Sequence, residues 1–139
     1  MTTTFRVTGG CQCGAVRYAV TAQATDLYHC HCSMCRKVHG AVFGTYAAIP
    51  QDAFVIEKGQ PALALFESSP GILRYFCRNC GCPIYCDTVK PPTSRVYTAA
   101  TLDNGASPGH PPERERHIYA ASKSCWYEIG RKLPEIAEF

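Results

Sequence analysis

The sequence lacks long apolar runs, basic stripes, internal repeats and linkers. No uninterrupted apolar stretch approaches the roughly 20 residues of a membrane-spanning helix, so we expect no membrane span. Charged residues make up only 18% of the chain, and the formal net charge of +3 comes from scattered Lys and Arg. Because nucleic-acid-binding proteins usually carry clustered basic residues, this pattern argues against nucleic acid as the main partner. An anionic small molecule suits a mildly basic pocket equally well.

No linker-like stretch or repeat marks a domain boundary within the 139 residues, and we predict a single domain over residues 1–139. The apolar content of 46% is typical of a globular chain. Residues 1–7 contain no apolar signal core, which favours a cytoplasmic protein whose thiols stay reduced. The oligomeric state is left open by the sequence.

Cysteine is the residue that the chain has in excess. Seven of the ten cysteines fall into three short clusters: Cys11 and Cys13; Cys30, Cys32 and Cys35; and Cys77 and Cys80. Closely spaced cysteines in a reducing compartment indicate metal ligands rather than disulfides. Thiolate sulfur prefers zinc to magnesium or calcium, so zinc is the expected ion.

Seven thiols divide naturally into four plus three. In this partition a closed, structural zinc site is formed by Cys11, Cys13, Cys77 and Cys80. A second, open site is formed by Cys30, Cys32 and Cys35. Three protein thiolates leave the fourth tetrahedral position of zinc to water or substrate, which is typical of catalytic sites. The partition therefore predicts two zinc ions per chain, one structural and one catalytic.

A rival partition follows from the zinc-ribbon spacing. Cys32 and Cys35 would share one ion with Cys77 and Cys80. The remaining pair, Cys11 and Cys13, would then share another with Cys82 and Cys86. Both sites would be closed and the protein would be an interaction module. Spacing alone leaves the two partitions open.

Short strands dominate the predicted elements. Strands are predicted over 14–21, 41–49, 54–57, 62–66, 72–76, 83–86, 96–102 and 118–121. One short helix is predicted over 34–39, with Ser33 as its N-cap and Gly40 as its C-terminal stop. We therefore predict a mainly β domain with short strands held by metal.

Four segments carry a resemblance to a known family: GGCQCGAVRY at 9–18, HCHCSMCRK at 29–37, FCRNCG at 76–81, and HIY at 117–119 with Trp126. In these segments the chain resembles the glutathione-dependent formaldehyde-activating enzyme (GFA) family. That family includes S-(hydroxymethyl)glutathione synthases and the zinc domain of centromere protein V.

The resemblance implies the four-plus-three partition and the β-tent zinc-binding fold, with short antiparallel sheets and little helix. It places structural zinc at the first site and active-site zinc at the second. Cys82, Cys86 and Cys125 depart from the family pattern, and we predict that they are small buried hydrophobic residues. Trp126 is expected in the core or at an interface.

The open site predicts thiol chemistry. A thiol such as glutathione would supply the fourth ligand, and its zinc-bound thiolate would add to formaldehyde or a related small electrophile. The expected activity is that of a carbon–sulfur lyase, or thiol-adduct synthase, with Cys30, Cys32 and Cys35 at the catalytic centre. The alternative is a non-catalytic, zinc-stabilised binding module.

Glutathione carries two carboxylates, so cations should line its pocket. Arg36 and Lys37 directly follow the second site and are the first candidates for glutathione contacts. Arg17, Arg74 and Arg95 are weaker candidates, because a single Arg is most often a solvated surface charge.

Overall fold

The computed structural model describes residues 4–138, so residues 1–3 and 139 of the predicted domain lie outside it. Within that range the strands are β1 (Val7–Gly10), β2 (Arg17–Val20), β3 (Asp26–Cys30), β4 (Gly44–Ile49), β5 (Phe54–Lys58), β6 (Leu63–Ser69), β7 (Ile72–Cys77), β8 (Pro83–Thr88), β9 (Ser94–Thr98) and β10 (Glu115–Ile118). The α-helix of the described chain, α1, is Ser33–His39. The mainly β prediction is confirmed. None of the helices found between residues 4 and 138 has the length and apolar character needed to cross a membrane.

The strands form two sheets. The smaller sheet has the order β1-β2-β5, and the larger has the order β10-β3-β4-β9-β8-β7-β6. Every pairing between these strands is antiparallel except that of β10 with β3, which is parallel and departs from the predicted antiparallel pattern. Strand β9 already runs parallel to β3, since each is antiparallel to β4. The connection over residues 99–114 carries the chain back to the end of the sheet at which β3 begins, so β10 runs parallel to β3.

The main core lies between the two sheets. Tyr18 and Phe54 of the small sheet stack with ring centroids 4.8 Å apart. Phe54 lies 5.0 Å from the Tyr85 ring, and Tyr18 lies 5.9 Å from the Tyr97 ring, both on the large sheet. Successive side chains of a strand point to opposite faces, so residues next to Tyr85 and Tyr97 in sequence face the other side of the large sheet.

That other face of the large sheet carries α1 and a second buried cluster. Cys30, Cys35 and Tyr46 form its centre, with Cys86 and Val96 packed against them. Adjacent Ala47 belongs to the main core, as strand alternation requires. The large sheet thus separates the main core from the surface on which the second cluster is built.

Candidate metal centres and active site

The first cysteine group is assembled by two tight turns. The Sγ atoms of its members all lie within 4.8 Å of one another: Cys11, Cys13, Cys77 and Cys80. The Gly14 N–H donates to the Cys11 carbonyl at 3.2 Å, and the Gly81 N–H donates to the Cys77 carbonyl at 2.7 Å. Gly81 has φ of +79°, a conformation that side chains other than glycine rarely adopt. We call this group the four-cysteine cluster.

Backbone amides point at the sulfurs of the four-cysteine cluster. The Val16 N–H donates to Cys11 Sγ at 3.2 Å. The backbone N–H groups of Cys13 and Cys82 lower the pKa of Cys80 to about 6. Donors of this kind stabilise thiolate charge, and four sulfurs at this separation form the donor set of a closed metal site.

The second group, which we call the three-cysteine cluster, is built where β3 passes into α1. Cys30 ends β3 opposite Gly44 of β4, and the Sγ atoms of Cys30, Cys32 and Cys35 lie within 4.8 Å of one another. Cys32 is the N-cap of α1, and its Sγ accepts the Cys35 N–H at 3.4 Å. The Ser33 N-cap prediction was wrong because extended Cys32 supplies the capping acceptor one residue earlier. Gly40 is the left-handed C-cap, as predicted.

Cys30 and Cys35 oppose each other's ionisation. Interaction with Cys30, and then with Cys32 and the Arg74 guanidinium, lowers the pKa of Cys35 to about 5 despite burial. The same interaction with Cys35, reinforced by burial, raises the pKa of Cys30. A divalent ion removes this mutual repulsion, so the three thiols fit a metal site of soft ligands.

The cysteines are grouped four plus three. The zinc-ribbon alternative requires Cys32 beside Cys77, and these residues belong to different groups. Among residues 4–138, Cys82 and Cys86 join neither group; both are half-buried, beside the main core and the second buried cluster respectively. Cys125 is exposed, so its predicted burial was wrong. The short, polar stretch around it leaves this thiol outside both cores.

Arg74 is the residue that the sequence reasoning underrated. It is only 8% exposed, and its Nη2 donates to Cys35 Sγ at 3.7 Å. Its Nη1 donates to the Tyr46 hydroxyl at 3.0 Å, and its Nε donates to Ser68 Oγ at 2.8 Å. A signal was present, since Arg74 interrupts the otherwise apolar strand ILRYFC. A buried charge of this kind is often functional.

Tyr46 connects Arg74 to His39. Because Arg can only donate, the Tyr46 oxygen accepts from Arg74 and its own proton points to His39 Nε2, 2.6 Å away. Burial, and then the Arg74 charge, lower the pKa of His39 to about 4. A Cβ at Gly44 would lie 2.5 Å from the His39 ring, so this close approach requires glycine. His39 is therefore neutral near pH 7.

Arg36 and Lys37 line a separate cavity of about 250 Å³ at the end of α1. The Arg36 Nε donates to the His31 carbonyl at 3.2 Å. Trp126 was predicted in the core or at an interface; it lines the same cavity and is 72% exposed, so it does not lie in the core. The chain after β10 lies against α1 rather than entering a core, which leaves the indole at the cavity.

The other two candidate cations are already paired with carboxylates. Arg17 makes two contacts with Asp103, one of them at 2.9 Å. Arg95 makes two with Asp87, at 2.7 and 2.8 Å. Their charges stabilise strand connections in the fold, and we do not place them in the site.

Two cavities adjoin the three-cysteine cluster and share Tyr46, Arg74 and Cys86 as a common wall. The smaller has a volume of about 220 Å³ and is also lined by Tyr28, Cys30, Cys35, Val96 and Ile118. The larger has a volume of about 420 Å³ and is also lined by Val38, Leu65, Phe66, Tyr75, Phe76, Gly81, Pro83, Tyr85 and Thr98.

Strand β10 closes the far side of the cluster. His31, which lies between Cys30 and Cys32, is fully buried, and its Nε2 is 2.8 Å from His117 Nδ1. The His31 N–H donates to the Ile118 carbonyl at 3.0 Å. These contacts fix the loop that carries the first two thiols of the cluster.

Together, the two sheets and the two thiol groups define a cysteine-rich β protein with two groups of residues that could hold metal ions. Residues 6–122 match the family model described as "Glutathione-dependent formaldehyde-activating enzyme". The chain therefore belongs to the GFA family.

Relatives provisionally named glutathione-dependent formaldehyde-activating enzymes occur in bacteria and fungi. One from Halomonas elongata is 31% identical over 130 residues, covering 87% of this chain and 79% of the relative. One from Emericella nidulans is 29% identical over 77 residues, and one from Podospora anserina is 31% identical over 75 residues. Each fungal match covers 54% of this chain but only 39% or 35% of the relative's length.

A solved structure also resembles this fold. The crystal structure of a Rhodobacter sphaeroides protein aligns with a TM-score of 0.57 and 25% identity. The alignment covers 70% of this chain and 88% of that protein.

Proposed function

We propose that the protein is a zinc-dependent carbon–sulfur lyase that joins glutathione to formaldehyde or a related small electrophile. The observation that carries the proposal is the three-cysteine cluster, where three thiols converge beside buried Arg74 and two cavities. Within residues 4–138, no fourth Cys, His, Asp or Glu belongs to this group. The chemistry needs reduced thiols, which the cytoplasm maintains.

Each part of the site has a role in this proposal. Cys30, Cys32 and Cys35 would hold a zinc ion, whose positive charge would lower the pKa of an incoming thiol and leave its sulfur nucleophilic. Arg36 and Lys37 bind the glutathione carboxylates from the end of α1. Confinement of the thiol and the electrophile on one face of the sheet supplies proximity.

Arg74 stabilises the charge that develops during addition. As the carbon–sulfur bond forms, the carbonyl electron pair moves to oxygen, which then takes a proton from solvent. Tyr46 and Ser68 already fix the Arg74 guanidinium beside the three-cysteine cluster, so little reorganisation is required. The reverse sequence cleaves the carbon–sulfur bond.

The four-cysteine cluster is assigned a structural zinc. Its ligands join the turn before β2 to the turn after β7, and Cys77 is fully buried in the main core. A metal that closes such a long loop contributes directly to folding free energy.

Exchange NMR on the zinc-loaded protein tests the proposed activity. With glutathione and formaldehyde, interconversion with S-(hydroxymethyl)glutathione should exceed the spontaneous rate, and the Cys32→Ser variant should lose that excess. A protein that keeps two zinc ions but gives only the spontaneous rate would instead be a zinc-stabilised binding module.

A further inference from the structure

The larger cavity beside Arg74 does not match the size of formaldehyde. Its volume of about 420 Å³ lies in the range of small-molecule sites, roughly 300–1,000 Å³. Formaldehyde has only two heavy atoms, and a molecule of that size needs on the order of 60 Å³, taking about 30 Å³ for a water-sized group. Most of this cavity would be unused by the electrophile named in the family description.

The lining of this cavity is mainly apolar. Val38 of α1 and side chains from the β6–β8 part of the large sheet line it, among them Phe66, Phe76 and Pro83. Phe66, which lies on the same face of the sheet as Arg74, is 57% exposed. Exposed apolar side chains around a cavity favour an apolar ligand, because its binding removes their surface from water.

Arg74 connects this apolar space to the reacting thiols. The cross-strand register places Phe66 opposite Arg74 and Arg74 opposite Cys86, so the guanidinium lies at the inner wall. Its Nη2 reaches Cys35 Sγ at 3.7 Å. In the described chain three of its five N–H groups are used, which leaves one on each terminal nitrogen for a ligand oxygen.

We propose that this cavity holds the hydrocarbon chain of a larger aldehyde, so that the preferred electrophile is a medium-chain aldehyde rather than formaldehyde. The inference rests on the proposed function and names its substrate class. The aldehyde oxygen faces Arg74, and the chain extends toward Phe66 and Phe76. Sulfur adds to the carbonyl carbon, the π pair moves to oxygen, and oxygen takes a proton from solvent. The product is a hemithioacetal, and nothing is oxidised or reduced.

Glutathione itself is a poor occupant of this cavity. The tripeptide carries two carboxylates, whereas Arg74 is the one cation among the residues that line the space. The separate cavity beside Arg36 and Lys37 offers two cations. The geometry therefore assigns the thiol and the electrophile to different sides of the three-cysteine cluster.

Binding of 1-octanol, an unreactive probe, tests the cavity without turnover. Titration of the zinc-loaded protein, followed by ¹H–¹⁵N NMR, should give saturable shifts at Phe66 and Phe76. Phe66→Glu should weaken the affinity about tenfold or more by placing a charge at the apolar rim. Val55→Glu is the matched control, since Val55 on β5 is similarly exposed, at 47%, and lines a different surface. The absence of saturable shifts, or equal effects of the two variants, overturns the cavity assignment.

Relative turnover of octanal and formaldehyde tests the substrate class. The ratio of kcat/KM for octanal to that for formaldehyde should exceed one, and Phe66→Glu should lower this ratio about tenfold or more. Val55→Glu should leave it unchanged. Acceleration with formaldehyde but not octanal overturns this inference while the proposed function stands. Failure with both aldehydes overturns the proposed function and the assigned electrophile together, even where octanol binds.

Discussion

Arg74 Nη2 donates to Cys35 Sγ at 3.7 Å across a sequence separation of 39 positions. Both residues are buried, at 8% and 4% exposure. The contact fixes a permanent positive charge beside the three-cysteine cluster. Because Nη1 of the same group holds the Tyr46 hydroxyl, one guanidinium links the thiols to the two cavities.

Replacement of Arg74 should impair catalysis more than metal binding. We expect Arg74→Gln to lower kcat/KM about 100-fold, since a preorganised donor to the developing oxyanion is lost. Arg74→Lys should recover part of this loss by keeping the charge without the planar fork. Exchange NMR gives the rates, and metal analysis should still find two zinc ions.

The control for Arg74 is Arg6→Gln, which removes an exposed ion pair with Glu57 and should leave the rate unchanged. A fully active Arg74→Gln protein would remove Arg74 from the mechanism. Loss of a zinc ion in that variant would make Arg74 a support for the metal rather than for the reacting oxygen.

The two cysteine clusters should respond differently to the loss of a thiol. Cys32→Ser should lose one equivalent of zinc and shift Tm by about 5 °C or less, because Cys32 is half-buried outside the main core. Cys77→Ser should be unfolded at 25 °C, because it opens a site within that core. Zinc content and thermal melts of both variants provide the measurement. Equal damage from the two substitutions would contradict the division into catalytic and structural sites.

We expect substitutions of Arg36 and Lys37, which line the separate cavity, to raise the KM for glutathione. Arg36→Gln and Lys37→Gln should each raise the KM for glutathione about fivefold, on the order of 1 kcal/mol, with little change in kcat. Lys58→Gln, at an exposed end of β5, is the charge-matched control. Unchanged KM values in both test variants would place the glutathione carboxylates elsewhere.

We expect the stability of the folded protein to depend on pH through the ionisation of His39. Its folded pKa of about 4 lies below its ordinary value of 6.5, so folding favours the neutral ring. The associated stability is complete above pH 6.5 and declines as the pH falls toward 4. Relative to His39→Gln, the wild type should lose about 1–2 kcal/mol between pH 7 and pH 5. Melts of both proteins at these two pH values measure the difference, and parallel curves would show that His39 is not buried as a neutral ring.

Strands with alternating or apolar sequences could be predicted from the sequence, whereas β1 and β3 could not, and the strand predicted over 118–121 lies instead at Glu115–Ile118. β1 reads VTGG, and glycines normally indicate a turn. β3 reads DLYHC and shows no clear alternation, because Asp26 and Leu27 are both buried on opposite faces. The Asp26 carboxylate is paired with Arg116 at 2.8 Å, a partner 90 positions away that local sequence cannot reveal.

The site shows the same division between local and long-range information. Cys30, Cys32 and Cys35 could be grouped because the strand end, N-cap and first helical turn are contiguous. The otherwise apolar strand around Arg74 marks this residue as unusual, but the sequence does not show that Arg74, rather than Arg17 or Arg95, lies in the site. The three arginines differ in the groups that they contact. Arg17 and Arg95 are paired with carboxylates, whereas Arg74 contacts a thiol and hydroxyls. The cross-strand register decides which partners each arginine meets, and the register depends on the whole sheet.

The most direct test of the account is zinc-edge anomalous diffraction from crystals soaked with glutathione. We predict two ions per chain, one bound by the four sulfurs of the four-cysteine cluster. The other should be bound by Cys30, Cys32 and Cys35, with the glutathione sulfur as its fourth ligand. A fourth protein side chain on that second ion, or no ion at the three-cysteine cluster, would contradict the account.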